Sequence, residues 1–371
     1  MKRILARRET VWPNRSEIDL LHAALDEDPR AAQAAWDRWR LATGGIPDPA
    51  ALRLLPLVEW NLRRPTPGTL EAPGFVEKAA VAGLSLAAAA APVVRALRET
   101  GASALVLKGL ALAHAFYPHP GLRPMSDVDL LIPPSDSERA RAALEALGWR
   151  IAEAEPDSRL RHLHGAAFRK LGAPEIDLHT RALAESASPE ADAGFFSRAV
   201  RLDIAGTPAL TLAAADHLLV VCVHGLRWSA APAVHWVADA AMILRRCGKI
   251  DWDALTREAQ ARRLESPLCR ALGLLAAEFS MPVPGEVLDR LASADSPGRR
   301  RELAARMSRP TLAGGLFLHW RQFSQERREL SLAGRLRRFP SHLKEMWDLG
   351  HAWEVPAAAI RKGVGRLARR R

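Results

Sequence analysis

Arg123-Pro-Met-Ser-Asp127-Val128-Asp129-Leu130-Leu131-Ile132 decides the reading of this chain. Two carboxylates stand one residue apart, directly ahead of an apolar run. In a strand, residues i and i+2 share a face, so Asp127 and Asp129 project side by side while Val128 turns into a core. Adjacent anions on one face repel, which calls for a cation between them or for neutralisation of one acid. Hard divalent cations take oxygen ligands, and Mg²⁺ is the usual one beside phosphates. The spacing alone fits a polar strand start with two solvated aspartates equally well, so the flanking sequence has to discriminate.

Upstream, Ser103-Ala-Leu-Val-Leu107 reads as a short buried strand running into Lys108-Gly109, and Leu110 to Phe116 reads as a helix. Strand, glycine, helix is a layout in which backbone approaches a phosphate closely and helix N–H groups face the anion. Lys108 would add a point charge; a tight turn with a solvated lysine fits the same residues. Downstream, Ser135 to Leu147 has helical spacing, with Ser135 and Glu138 as a capping box. Trp149 to Ala152 reads as a strand. Ala166 to Lys170 and Glu175 to His179 read as a hairpin around Leu171-Gly-Ala-Pro174. In its second strand Glu175, Asp177 and His179 share one face, while Ile176 and Leu178 face a core.

The order Leu107-Lys108-Gly109, then Arg123-Pro-Met-Ser-Asp127-Val-Asp129-Leu-Leu, then Glu175-Ile-Asp177-Leu-His179 resembles the uncharacterised bacterial nucleotidyltransferases of the DNA polymerase beta-like superfamily. The likeness covers roughly residues 75 to 245. It implies an α+β fold: a small mixed β-sheet with packed helices, flanked by helical N- and C-terminal regions. It also implies a magnesium-dependent nucleotidyltransferase that moves an NMP from an NTP to an acceptor hydroxyl and releases pyrophosphate. Asp127 and Asp129 then become metal ligands, and Asp177 the third ligand or the general base, with Glu175 as fallback. Three such acids can hold two Mg²⁺ (or Mn²⁺) ions about 3.5–4 Å apart. Lys108, Gly109 and Arg123 fall at the phosphates. The chain departs from the superfamily in its turn, which is Lys-Gly rather than Gly-Ser or Gly-Gly and stands further from the acidic pair.

Two rival classes remain. A D-x-D glycosyltransferase carries its apolar strand ahead of the motif, whereas here Leu-Leu-Ile follows it. That order also opposes a haloacid-dehalogenase-type phosphatase, and Leu131 stands where such an enzyme wants Thr or Val. No G-x-x-x-x-G-K-[ST] sequence is present, which excludes a P-loop kinase. A non-catalytic nucleotide-binding or scaffold protein that keeps the fold would need neither the acids nor Mg²⁺. Removing one acid from an anionic cluster relieves repulsion, so Asp129→Asn is expected to leave the metal-free protein no less stable.

At 371 residues the chain has room for more than one domain. The composition favours helix over sheet. The four stretches read as an N-terminal helical region (1–74), the catalytic core (75–205), a helical domain covering the cleft (206–298) and a basic helical region (299–371). The net charge is +11, and about 18 Lys/Arg against 6 Asp/Glu after residue 298 hold the whole excess. That region is expected to contact polyanions or an anionic membrane surface weakly. Cys222, Cys247 and Cys269 have no C-x-x-C spacing and read as reduced thiols of a cytoplasmic protein. The basic N-terminus lacks an apolar h-region. The Ala-rich run from Ala79 to Val94, interrupted by Pro92, reads as a buried helix rather than a membrane span. Trp36, Trp39 and Trp60 read as core, and so do His217 and His224, two turns apart on one helix. Acceptor, base preference and oligomeric state stay open.

Overall fold

Alternating apolar residues in the middle of the chain build a seven-stranded sheet, and helices before and after it cover both faces. The computed structural model describes residues 11–63, 74–152, 165–185, 190–229, 234–294, 296–309, 311–347 and 349–368. The strands are β1 (Leu105–Leu107), β2 (Asp127–Leu131), β3 (Arg150–Ile151), β4 (Gly165–Arg169), β5 (Glu175–His179), β6 (Val200–Ile204) and β7 (Thr207–Thr211). Their spatial order is β3-β4-β5-β2-β1-β7-β6. β2 lies between β1, which is antiparallel to it, and β5, which is parallel. The architecture is α+β.

Period-two alternation gives the sheet two faces. Val106, Val128, Leu130, Ile132, Ile176 and Leu178 enter one core. That core is closed by Leu86, Val93 and Leu97 of α5 (Phe75–Glu99) and by Ala140 and Leu144 of α7 (Ser137–Ala146). Leu105, Leu107 and Leu131 enter a second core on the opposite side. There they join α1 (Arg15–Leu25), α2 (Pro29–Thr43), α3 (Pro49–Leu52) and α4 (Leu55–Arg63) from before the sheet. The same core takes in α9 (Ala214–Gly225), α10 (His235–Arg246), α11 (Trp252–Arg262), α12 (Glu265–Phe279) and α13 (Gly285–Ser293) from after it. Two shorter helices, α6 (Lys108–Ala115) and α8 (Ala193–Ser197), sit at strand ends. Asp127 and Asp129 share the face of Leu131, on the side of this second core.

Local chemistry sets the helix starts. Asn14 and Glu17 form a capping box at α1, with bonds of 2.7 and 3.0 Å. Asp28 and Asp48 cap α2 and α3, each followed by proline at the first helical position. Within the N-terminal helical region the stretch from Pro49 to Arg63 forms two helices. Pro56 has no N–H and crowds the carbonyl four residues back, so the chain turns at Arg53-Leu54 and starts again. The capping box expected at Ser135 does not form. Pro134–Asp136 is a 3₁₀ turn, and Asp136 accepts the Ser103 N–H at 2.9 Å instead, which ties α7 to the start of β1.

The β6–β7 hairpin was not expected from the sequence. Its two-residue turn is Ala205-Gly206, both at positive φ (51° and 77°), the geometry of a tight hairpin. β7 then pairs in parallel with β1. α5 is long and apolar enough to cross a membrane by length and composition; its Leu86–Leu97 face packs on the sheet. Pro65, Pro67 and Gly68, whose sequence reads as a loop, lie outside the described residues.

The basic stretch forms α14 (Pro297–Met307), α15 (Leu312–Glu326), α16 (Leu332–Met346) and α17 (Val355–Ala368). Trp320, Phe323 and Phe339 pack between α15 and α16, with Trp320 edge-on to Phe339 at 5.1 Å.

Candidate active site

β2 and β5 lie in parallel register: Asp127 opposite Glu175, Asp129 opposite Asp177, Leu131 opposite His179. Parallel strands in register present the same parity to the same side, so acids 48 residues apart in the chain (177 − 129) share a face. Ligand atoms of Asp129, Asp177 and His179 lie within 4.8 Å of one another. The buried Asp129 is the centre of the group. Its Oδ1 accepts from Lys108 Nζ at 2.6 Å and stands 2.7 Å from His179 Nε2; Lys108 Nζ is 3.4 Å from the same ring nitrogen.

β1 delivers the lysine. Leu107 pairs with Asp129, so Lys108 is the first residue past the strand, where the backbone swings into α6. Lys108 takes φ 46°, a left-handed conformation that few non-glycine residues adopt. Gly109 follows. A Cβ there would fall 2.8 Å from Arg123 Nη1 and 3.1 Å from Met125 Cβ, so what approaches this glycine closely is the loop ahead of β2. Arg123 is itself held. Its Nε and Nη2 donate to Asp239 on α10 at 3.1 and 2.9 Å, and Nη1 donates to the Pro124 carbonyl at 3.2 Å. Tyr117 Oη donates to the same aspartate at 2.7 Å.

The three acids titrate differently. Burial works against ionisation of Asp129, but the His179 hydrogen bond and the Lys108 charge outweigh it and hold the pKa down to about 2. Asp177 moves the other way: burial raises its pKa, and the Asp129 charge adds to the rise. Asp127 is raised too, by burial and then by Asp129, against the opposing pull of Lys108, Arg123 and Arg53. Asp127 lies outside the 4.8 Å group but within its electrostatic reach. Glu175 is occupied elsewhere, paired with Arg169 at 2.5 Å across the β4–β5 connection.

His179 shares the face of Asp177 at strand spacing, and that alternation was its signal; a direct bond to Asp129 was not inferable from it. Arg53 of the N-terminal helical stretch, where no chemistry was expected, contributes positive potential at Asp127. His217 is core: its ring meets Thr211 Oγ1 at 2.9 Å and Phe116 edge-on. His224, two turns further along α9, is exposed rather than core.

Fold and site together define a nucleotidyltransferase-type sheet with an acidic cluster on β2 and β5. The model of a family described as uncharacterised nucleotidyltransferases matches residues 67–280, and this chain belongs to that family. Among solved structures it is similar to the antibiotic-resistance factor ANT(2'')-Ia in solution, at 15% identity over 52% of this chain and 97% of that one, with a TM-score of 0.33. A crystal structure of ANT(2'')-Ia with adenylyl-2''-tobramycin gives 16% identity, 48% and 96% coverage, and a TM-score of 0.32. An antigenic nucleotidyltransferase-like protein from Paracoccidioides brasiliensis gives 13% identity, 55% and 96% coverage, and 0.37. No curated protein matches the chain.

Proposed function

We propose that the protein transfers a nucleoside monophosphate from an NTP to an acceptor hydroxyl, using divalent metal held by Asp127, Asp129 and Asp177. The observation that carries this reading is the β2–β5 register, which sets Asp129 beside Asp177 on one face. The donor set fits a divalent cation. Two carboxylates and an imidazole converge within 4.8 Å, and Asp127 and Asp177 both carry raised pKa values, the mark of anions that gain from a cation. Carboxylates suit Mg²⁺ or Mn²⁺, and an imidazole favours a first-row transition metal, so Mn²⁺ satisfies both. When bound, such a metal neutralises phosphate charge and lowers the pKa of the attacking hydroxyl.

The protein's own groups have separate tasks. Asp129 and Asp177 would hold the cation together with Asp127, which stands next to them on the acidic face of β2. His179 bonds Asp129 in the metal-free site and would offer its imidazole to the cation. Lys108 has an ammonium within reach of both Asp129 and the open side of the cluster, where it can donate to a phosphate oxygen. Gly109 and Arg123 shape the turn, and Arg123 adds a fixed positive charge behind the phosphates.

One observation favours a second reading. Lys108 and His179 already satisfy Asp129 without a metal, as expected of a nucleotide-binding or scaffold protein that keeps the fold without turnover. The test is an NTP panel with Mg²⁺ or Mn²⁺ and cell extract as acceptor source, followed by pyrophosphate release. Metal-dependent release that Asp177→Asn abolishes supports transfer. NTP binding without release supports the second reading, and absence of NTP binding with either metal removes both.

A further inference from the structure

A small cleft, partly open to solvent, lies where the end of α9, the α11–α12 junction and α14 meet. None of the acids on β2 and β5 lines it. Four arginines do: Arg227, Arg263, Arg299 and Arg306, against Glu185 and Glu302.

Three of the arginines are committed. Arg227 and Arg306 both bond Glu185; Arg306 also bonds Glu302 at 2.8 Å, and Arg299 meets Glu265 at 2.5 Å. Glu302 is bonded from a second side by Arg321 at 3.2 Å. Both lining carboxylates are therefore bridged by arginine pairs. Arg263 has no carboxylate within ion-pairing distance among the described residues. Burial and the charges of Arg328, Arg321 and Arg299 disfavour its protonated form, with Glu302 opposing. Arg263 also ends α11 at φ 60°, a left-handed cap position that glycine usually fills.

The start of α12, a fifteen-residue helix with no side-chain cap, also lines the cleft. Ser266 stands on its first turn and lines the cleft. It is 3% exposed, and its Oγ has no hydrogen-bond partner among the described residues. Buried hydroxyls are seldom left unpaired, so such an atom requires an explanation. Pro267 on the same turn has no N–H and the Leu268 N–H is bonded to the Leu264 carbonyl, so the donors left to receive an oxyanion are the unpaired guanidinium of Arg263 and the free hydroxyl of Ser266.

We propose that this cleft is a binding site for the phosphoryl group of a small phosphorylated ligand, received by Arg263 and Ser266. The site works without metal and independently of the acidic cluster.

The test is calorimetric titration of the full chain in EDTA with inorganic phosphate, with acetate as the planar-anion comparison. Saturable phosphate binding is expected, unchanged in the Asp129→Asn/Asp177→Asn double variant and tighter than acetate. Glycerol 3-phosphate should compete if the ligand is a phosphomonoester; failure to compete assigns the site to the free ion. Arg263→Gly should weaken phosphate at least tenfold while keeping the fold, because glycine suits the left-handed backbone there. Ser266→Ala should weaken it several-fold. Absence of saturable binding, or binding that Arg263→Gly leaves intact, overturns the proposal.

Discussion

Arg123 and Asp239 lie 116 residues apart in the chain and meet in a two-point ion pair, Nε to Oδ1 at 3.1 Å and Nη2 to Oδ2 at 2.9 Å. Both side chains are nearly inaccessible, and Tyr117 Oη adds a third bond to the same carboxylate. The pair fixes the loop that launches β2 against α10. It therefore sets where Asp127 and Asp129 stand relative to the helices that face them.

Asp239→Ala would leave a buried guanidinium and a buried phenol without their acceptor. Breaking a buried pair from one side costs about 3–5 kcal/mol. We expect a loss of that order in denaturant unfolding. A change under about 1 kcal/mol, the usual worth of an exposed pair, would mean that the loop is held by other contacts.

Asp129→Asn and Asp177→Asn should move stability in opposite directions when no metal is present. Sequence reasoning expects relief of repulsion at Asp129, but Lys108 and His179 reverse the sign. A folded pKa of about 2 means that ionised Asp129 stabilises the fold at neutral pH, by roughly 2 kcal/mol. Asp177 has a raised pKa, so its charge is a burden and its amide should be neutral or stabilising. Thermal melts in EDTA compare the two; equal losses would contradict this electrostatic picture.

Much of the site was legible because strands advertise themselves locally. Asp127 and Asp129 precede an apolar run, and Glu175, Asp177 and His179 alternate with Ile176 and Leu178. What brings them together is the parallel β2–β5 register, and no feature of either strand encodes a pairing across 48 residues. The same limit hid the Arg123–Asp239 pair. The β6–β7 hairpin escaped for a different reason. Arg201, Asp203 and Pro208 give it the composition of a loop, and only the Ala205-Gly206 turn marks it. At Ser135 a local capping signal was present, and a tertiary contact from Asp136 to Ser103 overrode it.

Mn²⁺ should raise the melting temperature of the wild type and not that of Asp177→Asn. A ligand that binds only the folded state adds about 2.7 kcal/mol at a hundred times its dissociation constant. A shift of equal size in both proteins would place the ion away from the cluster.

Glu185 gives a pH signature outside the candidate active site. Burial works against its charge, but Arg227 and Arg306 hold its pKa down to about 2 from 4.5. Its contribution is present above the unfolded value and fades as pH falls through about 4.5 to 2. The stability gap between wild type and Glu185→Gln should thus be roughly 3 kcal/mol near neutrality and close to zero near pH 2. A gap that does not depend on pH would assign the effect to packing.

The basic C-terminal helices carry the positive excess of the chain, and they also expose apolar side chains. Leu332, Leu336, Trp353 and Ile360 are 57–76% exposed. The aromatic residues at 320, 323 and 339 pack against one another between helices and so offer no platform for stacked bases. Long-range attraction by counterion release then remains the main means of holding a polyanion. Removing residues 360–371 deletes Arg361, Lys362, Arg366 and the three terminal arginines, and among the described side chains Ile360 and Arg361 belong to neither sheet core. Turnover on a small acceptor should therefore stay within a few-fold of the full chain. Retention on RNA or on vesicles containing anionic lipid should drop, most at low salt, where the screening length is long. Measuring both on one truncated preparation decides the matter. Loss of all NTP turnover would show that the terminal helix completes the active site, and unchanged retention would show that the attraction resides in α14 to α16.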